Sequence, residues 1–187
     1  MENGPMISMA SRINGAERRA IAQFLTGKTL SARDLSTTPP QSAMCVASAR
    51  DGFANPLAAK NWNGWGDNTS NTRFQDAAGA GLTAAQAARL KVKWAFGFPG
   101  DLDANAQPTV VGGRVFVGSQ AGTVYALSAD SGCVYWFFKA AATVRGAVTI
   151  GQITANGASM YGAFFGDLAG NVYAVNAATG AELWRIK

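Results

Sequence analysis

The 187-residue chain has no histidine and only two cysteines, and only 14% of its residues are charged. No apolar run approaches membrane-spanning length. Without histidine and without a CxxC spacing, a zinc site is poorly supported. The sparse charge contains no dense basic run, so the net charge of +5 reads as a scattered, solvated surface and not as a nucleic-acid interface. The start, Met1-Glu2-Asn3-Gly4-Pro5, lacks the basic and apolar regions of an export signal, which taken alone reads as cytoplasmic. Cys45 and Cys133 either pair across the chain in an oxidising compartment or remain two thiols. Low charge does not mean disorder here. Hydrophobic residues reach 48%, and 22 glycines suit an all-β protein with many turns.

What the chain does have is an internal repeat. AGTVYALSADSGCVYWFFK over 121–139 returns without a gap as AGNVYAVNAATGAELWRIK over 169–187. The copies match at Gly122/Gly170, Val124/Val172, Tyr125/Tyr173, Ala126/Ala174, Gly132/Gly180 and Trp136/Trp184, a period of 48 residues. Each unit reads strand, turn, strand, with no 3.6-residue rhythm, and a period of this size built that way points to a propeller blade. Two more strands precede each copy: Pro108–Val111 and Arg114–Gly118 around Gly112-Gly113, a two-residue hairpin signal, then Ala147–Gly151 and Met160–Phe165 around a polar loop. Four strands make one blade. The expected fold is mainly β, a partial β-propeller of two four-stranded blades with one N-terminal α-helix.

That helix is expected over Asn14–Thr26, with Asn14 as N-cap, Glu17 three residues on, and Gly27 just past the end. Its apolar pairs Ala20/Phe24 and Ile21/Leu25 need a partner that residues 1–13 cannot supply. Residues 29–60, with Pro39-Pro40, read as a semi-rigid linker. Trp62 and Trp65, set among Gly and Asn, cannot form a regular strand. They read as an aromatic anchor that docks on a sheet edge, with a carbohydrate-binding platform as the competing reading. Thr83–Gln86 caps a brief helix. Leu90–Phe96 is an alternating strand with no blade of its own, expected to complete a final blade not in this chain. The expected domains are 1–28, the linker 29–60, and a partial propeller over 61–187, divided into a lead-in segment 61–100 and blades 101–140 and 141–187. Its open sheet edges favour self-association or pairing with missing blades.

The patterns Ala126-x-Ser128-x-x-Ser131-Gly132-x-x-x-Trp136 and Ala174-x-Asn176-x-x-Thr179-Gly180-x-x-x-Trp184 resemble the tryptophan-docking repeat of quinoprotein dehydrogenases, although Ser128 and Asn176 stand where that repeat carries Asp. The stretch 61–75, NWNGWGDNTSNTRFQ, resembles the start of the quinoprotein alcohol dehydrogenase propeller, most closely in the cytochrome-containing polyvinyl-alcohol dehydrogenases. Residues 4–25 resemble the end of a class I cytochrome c, in which Met6 occupies the position of the haem ligand and Met9 is the alternative. CxxCH and histidine are both absent, so this piece is expected to bind no haem itself. That start in mid-domain implies a natural N-terminus further upstream.

The resemblance implies a fragment of a periplasmic, PQQ-dependent alcohol dehydrogenase that uses calcium and PQQ, oxidises secondary or polymeric alcohols and passes electrons to a cytochrome haem. It places Asn105 where the family often has a Glu touching the quinone, with Gln107 beside it, and it lets Arg145 meet a quinone carboxylate. The alternative for all three is a polar residue lining a wet channel. The family's catalytic Asp and calcium ligands belong to later blades, so the resemblance implies no catalytic residue in this chain, which is expected to be inactive alone. The competing function is a non-catalytic propeller scaffold of the outer-membrane assembly type. The cytochrome-like helix and the WNGWG stretch favour the dehydrogenase.

Overall fold

The computed structural model describes residues 15–29, 38–46, 53–101, 104–155 and 157–187. Two compact units divide the chain, Met1–Ser36 and Thr37–Lys187. In the first, α1 spans Gly15–Thr26 and stops at Gly27, whose φ of +65° is the left-handed C′ conformation expected of that glycine. Phe24 and Leu25 are 86% and 76% exposed, so the apolar face that needs a partner is bare. The expected cap Asn14 and the methionines Met6 and Met9 lie outside the described residues.

The second unit holds two antiparallel four-stranded sheets. In the first, β1 (Thr109–Val111), β2 (Arg114–Gly118), β3 (Thr123–Ser128) and β4 (Val134–Lys139) lie side by side in chain order. β5 (Thr149–Ala155), β6 (Ala158–Gly166), β7 (Val172–Asn176) and β8 (Glu182–Ile186) repeat that order in the second. Both turn glycines of the first hairpin take positive φ, 58° at Gly112 and 71° at Gly113, the combination that matches strand twist in a two-residue loop. A register shift interrupts β3 against β4 between Ala126 and Leu127, and β7 against β8 between Ala174 and Val175, the same place in each repeat. The second blade's first hairpin is longer than its sequence predicts, pairing from Thr149 with Phe164 out to Ala155 with Ala158. Its tip carries Gln152, Thr154 and Ser159, whose polarity reads as loop although the backbone keeps its ladder.

Two apolar clusters cover the two faces of the first sheet. Phe116, Val124, Ala126 and Trp136 meet Ile150, Ala163, Phe165, Tyr173 and Val175 of the second sheet in one. Val117, Tyr125, Leu127 and Val134 pack in the other against Met44, Trp94, Phe96 and Phe98. β3 is therefore buried along its whole length, and its alternation serves two cores instead of one core and solvent.

Leu90–Phe96 lies in neither sheet and packs Trp94 and Phe96 against the first. One expectation needs correction: the described part of 29–60 is no free spacer. Met44 bridges to Val134, Cys45 and Cys133 form a disulfide with Cα atoms 5.0 Å apart, and Phe53 is buried in the inter-sheet core. A short helix α2 (Ala77–Ala80) is capped by Asp76, and α3 (Ala84–Ala87) carries the expected Thr83/Gln86 capping box.

Candidate functional site

The two copies of the tryptophan motif meet their neighbours in the same way. Trp136 donates from Nε1 to the Ala177 carbonyl at 3.0 Å, and its ring lies against Gly180, where a Cβ would come within 2.7 Å of Cδ2. Trp94 donates to the Ala129 carbonyl at 3.1 Å and lies against Gly132, where a Cβ would come within 2.8 Å. Both glycines are left-handed, with φ of 77° and 75°. Only a residue without a side chain turns the backbone this way and admits an indole against it.

Each blade also has a carboxylate in its turn. Asp167 accepts from the Ala169 and Asn171 amides, the Asn171 side chain and the Tyr173 hydroxyl, the last at 2.8 Å. Desolvation opposes its charge, but these donors outweigh it and pull the carboxyl down to about 2. In the first blade Ser119 stands at the matching position, and Asp101, at the start of that blade's span, accepts from the Ala121 amide at 2.6 Å. Burial pushes the Tyr125 hydroxyl up.

The lead-in segment runs along the free edge of β1. Trp62 and Val110 exchange both backbone hydrogen bonds at 2.8 Å, which is the sheet-edge docking expected of this stretch. Asn63 then grips both backbone groups of Ile150 at 2.8 Å each, and Gly64 donates to Thr109 Oγ1, which itself donates to the Val148 carbonyl. β1 and β5 are thereby tied together. Sequence gives no signal for this clamp, because an Asn between two tryptophans reads simply as loop. The buried Arg114 is equally silent in sequence. It lies between the rings of Phe53 and Tyr135, 4.6 and 4.1 Å from their centroids, and donates to the Ala177 and Ala178 carbonyls. Burial lowers its pKa, with Tyr135 acting the other way.

Of the expected quinone contacts, Asn105 and Gln107 sit just before β1 and Arg145 just before β5, at the same end of these tied strands. Asn105 and Arg145 are exposed and Gln107 is half-buried. Asn105 Nδ2 donates to Gln120 Oε1 at 3.3 Å. The three side chains bring two amides and a guanidinium to this end. Among the described residues no group of His, Cys, Asp and Glu is arranged to hold a metal ion.

Residues 19–187 match the family of PQQ-type propeller proteins described as "Outer membrane protein assembly factor BamB". The chain is 41% identical over 98% of its length to a polyvinylalcohol dehydrogenase from a Pseudomonas species, and 34% identical over 99% to one from Sphingopyxis sp. strain 113P3. The chain belongs to this family of PQQ-type propeller proteins. It spans 29% of the length of each of these two relatives. The quinohemoprotein alcohol dehydrogenase of Comamonas testosteroni superposes on 77% of the chain and 21% of its own with a TM-score of 0.53 at 22% identity, a likeness of fold. The Gly132 and Gly180 turns with their docked indoles have the form of the tryptophan-docking repeat that these patterns resemble, with Ser128 and Asn176 in place of its Asp. Ser128 Oγ accepts from the Asp130 and Ser131 amides, and Asn176 Oδ1 from those of Ala178 and Thr179, so the turn keeps its side-chain acceptor without the charge.

Proposed function

We propose that this chain forms the first two blades of a periplasmic PQQ-dependent alcohol dehydrogenase that oxidises secondary or polymeric alcohols and passes the electrons to a cytochrome haem. The observation that carries the reading is the 41% identity to a polyvinylalcohol dehydrogenase over nearly the whole chain. The Cys45–Cys133 disulfide supports an oxidising compartment. Phe24 and Leu25, bare on α1, support a helix that packs against further cytochrome sequence. Trp184, 40% exposed where its counterpart Trp136 is 5% exposed, supports a third blade whose turn receives it.

The donor set suits the cofactor. Asn105, Gln107 and Arg145 offer hydrogen-bond donors and no negative charge, which fits a quinone bearing carboxylates. When bound, PQQ supplies the two-electron oxidation. Arg145 would hold a carboxylate by its forked guanidinium, and Asn105, steadied by Gln120, would fix the quinone's orientation. Calcium and the catalytic acid/base are assigned to blades beyond this span.

The test is a PQQ titration of the full-length parent and its Arg145→Ala variant. Loss of a charge-assisted contact weakens quinone retention about tenfold or more. An unchanged titration removes Arg145 from the site. The second reading, a non-catalytic assembly scaffold, is favoured by the family description, and a parent that binds no PQQ at all would establish it.

A further inference from the structure

The lead-in segment folds over an open cleft of about 480 Å³ that neither the docking turns nor the strand ends use, walled by Lys60, Asn61, Asp67, Phe74, Gln75 and Asp76. Its size lies within the ~300–1,000 Å³ of ligand clefts. The chain reverses there through three non-glycine residues in left-handed conformation, Asp67, Asn71 and Arg73, with φ of 75°, 53° and 53°. Arg73 N closes the reversal on the Gly66 carbonyl at 3.1 Å. Gln75 Nε2 spans it, donating to the Asn61 carbonyl at 2.5 Å and to Asp67 Oδ1 at 2.9 Å. Phe74 is left 68% exposed on the cleft wall. Neither of the two tryptophans that read as an aromatic platform lines the cleft: the Trp62 backbone pairs with β1, and the Arg73 guanidinium lies 5.9 Å from the Trp65 ring. Phe74 is therefore the aromatic plate that the cleft presents.

The wall chemistry selects a class of ligand. The Asn61 and Gln75 amide donors are engaged within the loop, which leaves the Lys60 ammonium as donor and Asp67 and Asp76 as acceptors, so the cleft pairs best with groups that both donate and accept, as hydroxyls do. Two carboxylates against one ammonium disfavour an anion. The exposed ring favours CH groups between the hydroxyls. We propose that this cleft is a binding subsite for a stretch of polymeric secondary alcohol. The ligand's class rests on the alcohol dehydrogenase reading; its place rests on the cleft alone.

The experiment titrates fluorescein-labelled poly(vinyl alcohol) into the full chain without PQQ and follows anisotropy, with labelled dextran in parallel. Saturable binding of poly(vinyl alcohol) is expected, weakened about tenfold by Phe74→Ala, which removes the ring. Asp67→Asn weakens it severalfold; it keeps the acceptor for Gln75 and a residue type that tolerates positive φ, so the fold survives. Trp184→Ala, which removes an exposed aromatic on β8, leaves binding unchanged. Unchanged binding in Phe74→Ala, a preference for dextran, or no saturable binding would each overturn the proposal. Failure here with PQQ retention intact in the parent leaves the dehydrogenase reading standing. Polymer binding in a parent that retains no PQQ keeps the cleft and sinks that reading.

Discussion

Replacing Gly180 by alanine places a methyl group 2.7 to 2.9 Å from three atoms of the Trp136 ring and obliges an L residue to keep φ near 77°. The left-handed conformation costs about 1–2 kcal/mol. The ring must also retreat by about 0.5–1 Å, which forfeits roughly a quarter to a half of its contact energy on that side. Its hydrogen bond to Ala177 lengthens beyond 3.0 Å, at a cost of about 0.5–1.5 kcal/mol. The total is about 2–4 kcal/mol. Gly170 supplies the comparison, because its φ of 83° carries the same conformational cost but nothing lies within 4 Å of an added Cβ. Gly170→Ala should therefore cost only about 1–2 kcal/mol. Urea unfolding followed by circular dichroism measures both variants, with the slope checked for constancy. In a Trp136→Ala background the cost of Gly180→Ala should fall to the Gly170→Ala value. Equal costs in the two wild-type-background variants, or additivity in the cycle, would refute the claim that the indole against the turn holds the blades together.

The Cys45–Cys133 bond closes a loop across a separation of 88 residues, so Cys133→Ser should lower stability by up to about 4–5 kcal/mol in the chain-entropy account. A urea midpoint that is the same with and without reductant would contradict this. Asp167 titrates near 2 in the folded chain against an ordinary value of 3.8, so its contribution is full above about pH 4 and is lost as pH falls through about 2. Midpoints measured from pH 6 to pH 2 should drop more steeply in the wild type than in Asp167→Asn below pH 4, and parallel curves would show that its donors do not stabilise the charge.

The blades are legible in sequence because their signals are local. A repeated Val-Tyr-Ala strand, a turn glycine and a tryptophan recur at one spacing, and each element follows from its own few residues. What escapes reading is held from a distance. Arg114 looks like an exposed position of a hairpin strand until Phe53 and Tyr135 enclose it and two carbonyls of the next blade accept from it. Asn63 looks like loop chemistry until its amide meets Ile150, 87 residues away. The two cysteines, without a CxxC spacing, read as two thiols more readily than as a pair until Met44 bridges to Val134 and brings Cys45 beside Cys133. At the candidate site, sequence supplies residue types for Asn105, Gln107 and Arg145, but only the contacts between β1 and β5 put them at one end of adjacent strands.

The unequal tryptophan spacings, 42 residues from Trp94 to Trp136 and 48 from Trp136 to Trp184, have a structural account. Thr109 pairs with Phe116 and Thr149 with Phe164, so the second blade's first hairpin carries eight more residues, while its approach from the preceding tryptophan is two shorter. The docking contacts are unaffected, because they lie on the strands at the far side of each sheet from that hairpin. Phe96, two residues after Trp94, meets the Tyr125 ring edge-on at 5.3 Å; Phe138, two residues after Trp136, meets Tyr173 edge-on at 5.6 Å. Trp94 reaches Ala129 as Trp136 reaches Ala177. Contact for contact, the stretch around Trp94 does for the first blade what β4 does for the second. Leu90–Phe96 thus lies in neither sheet yet places Trp94 and Phe96 against the first blade as β4 places Trp136 and Phe138 against the second.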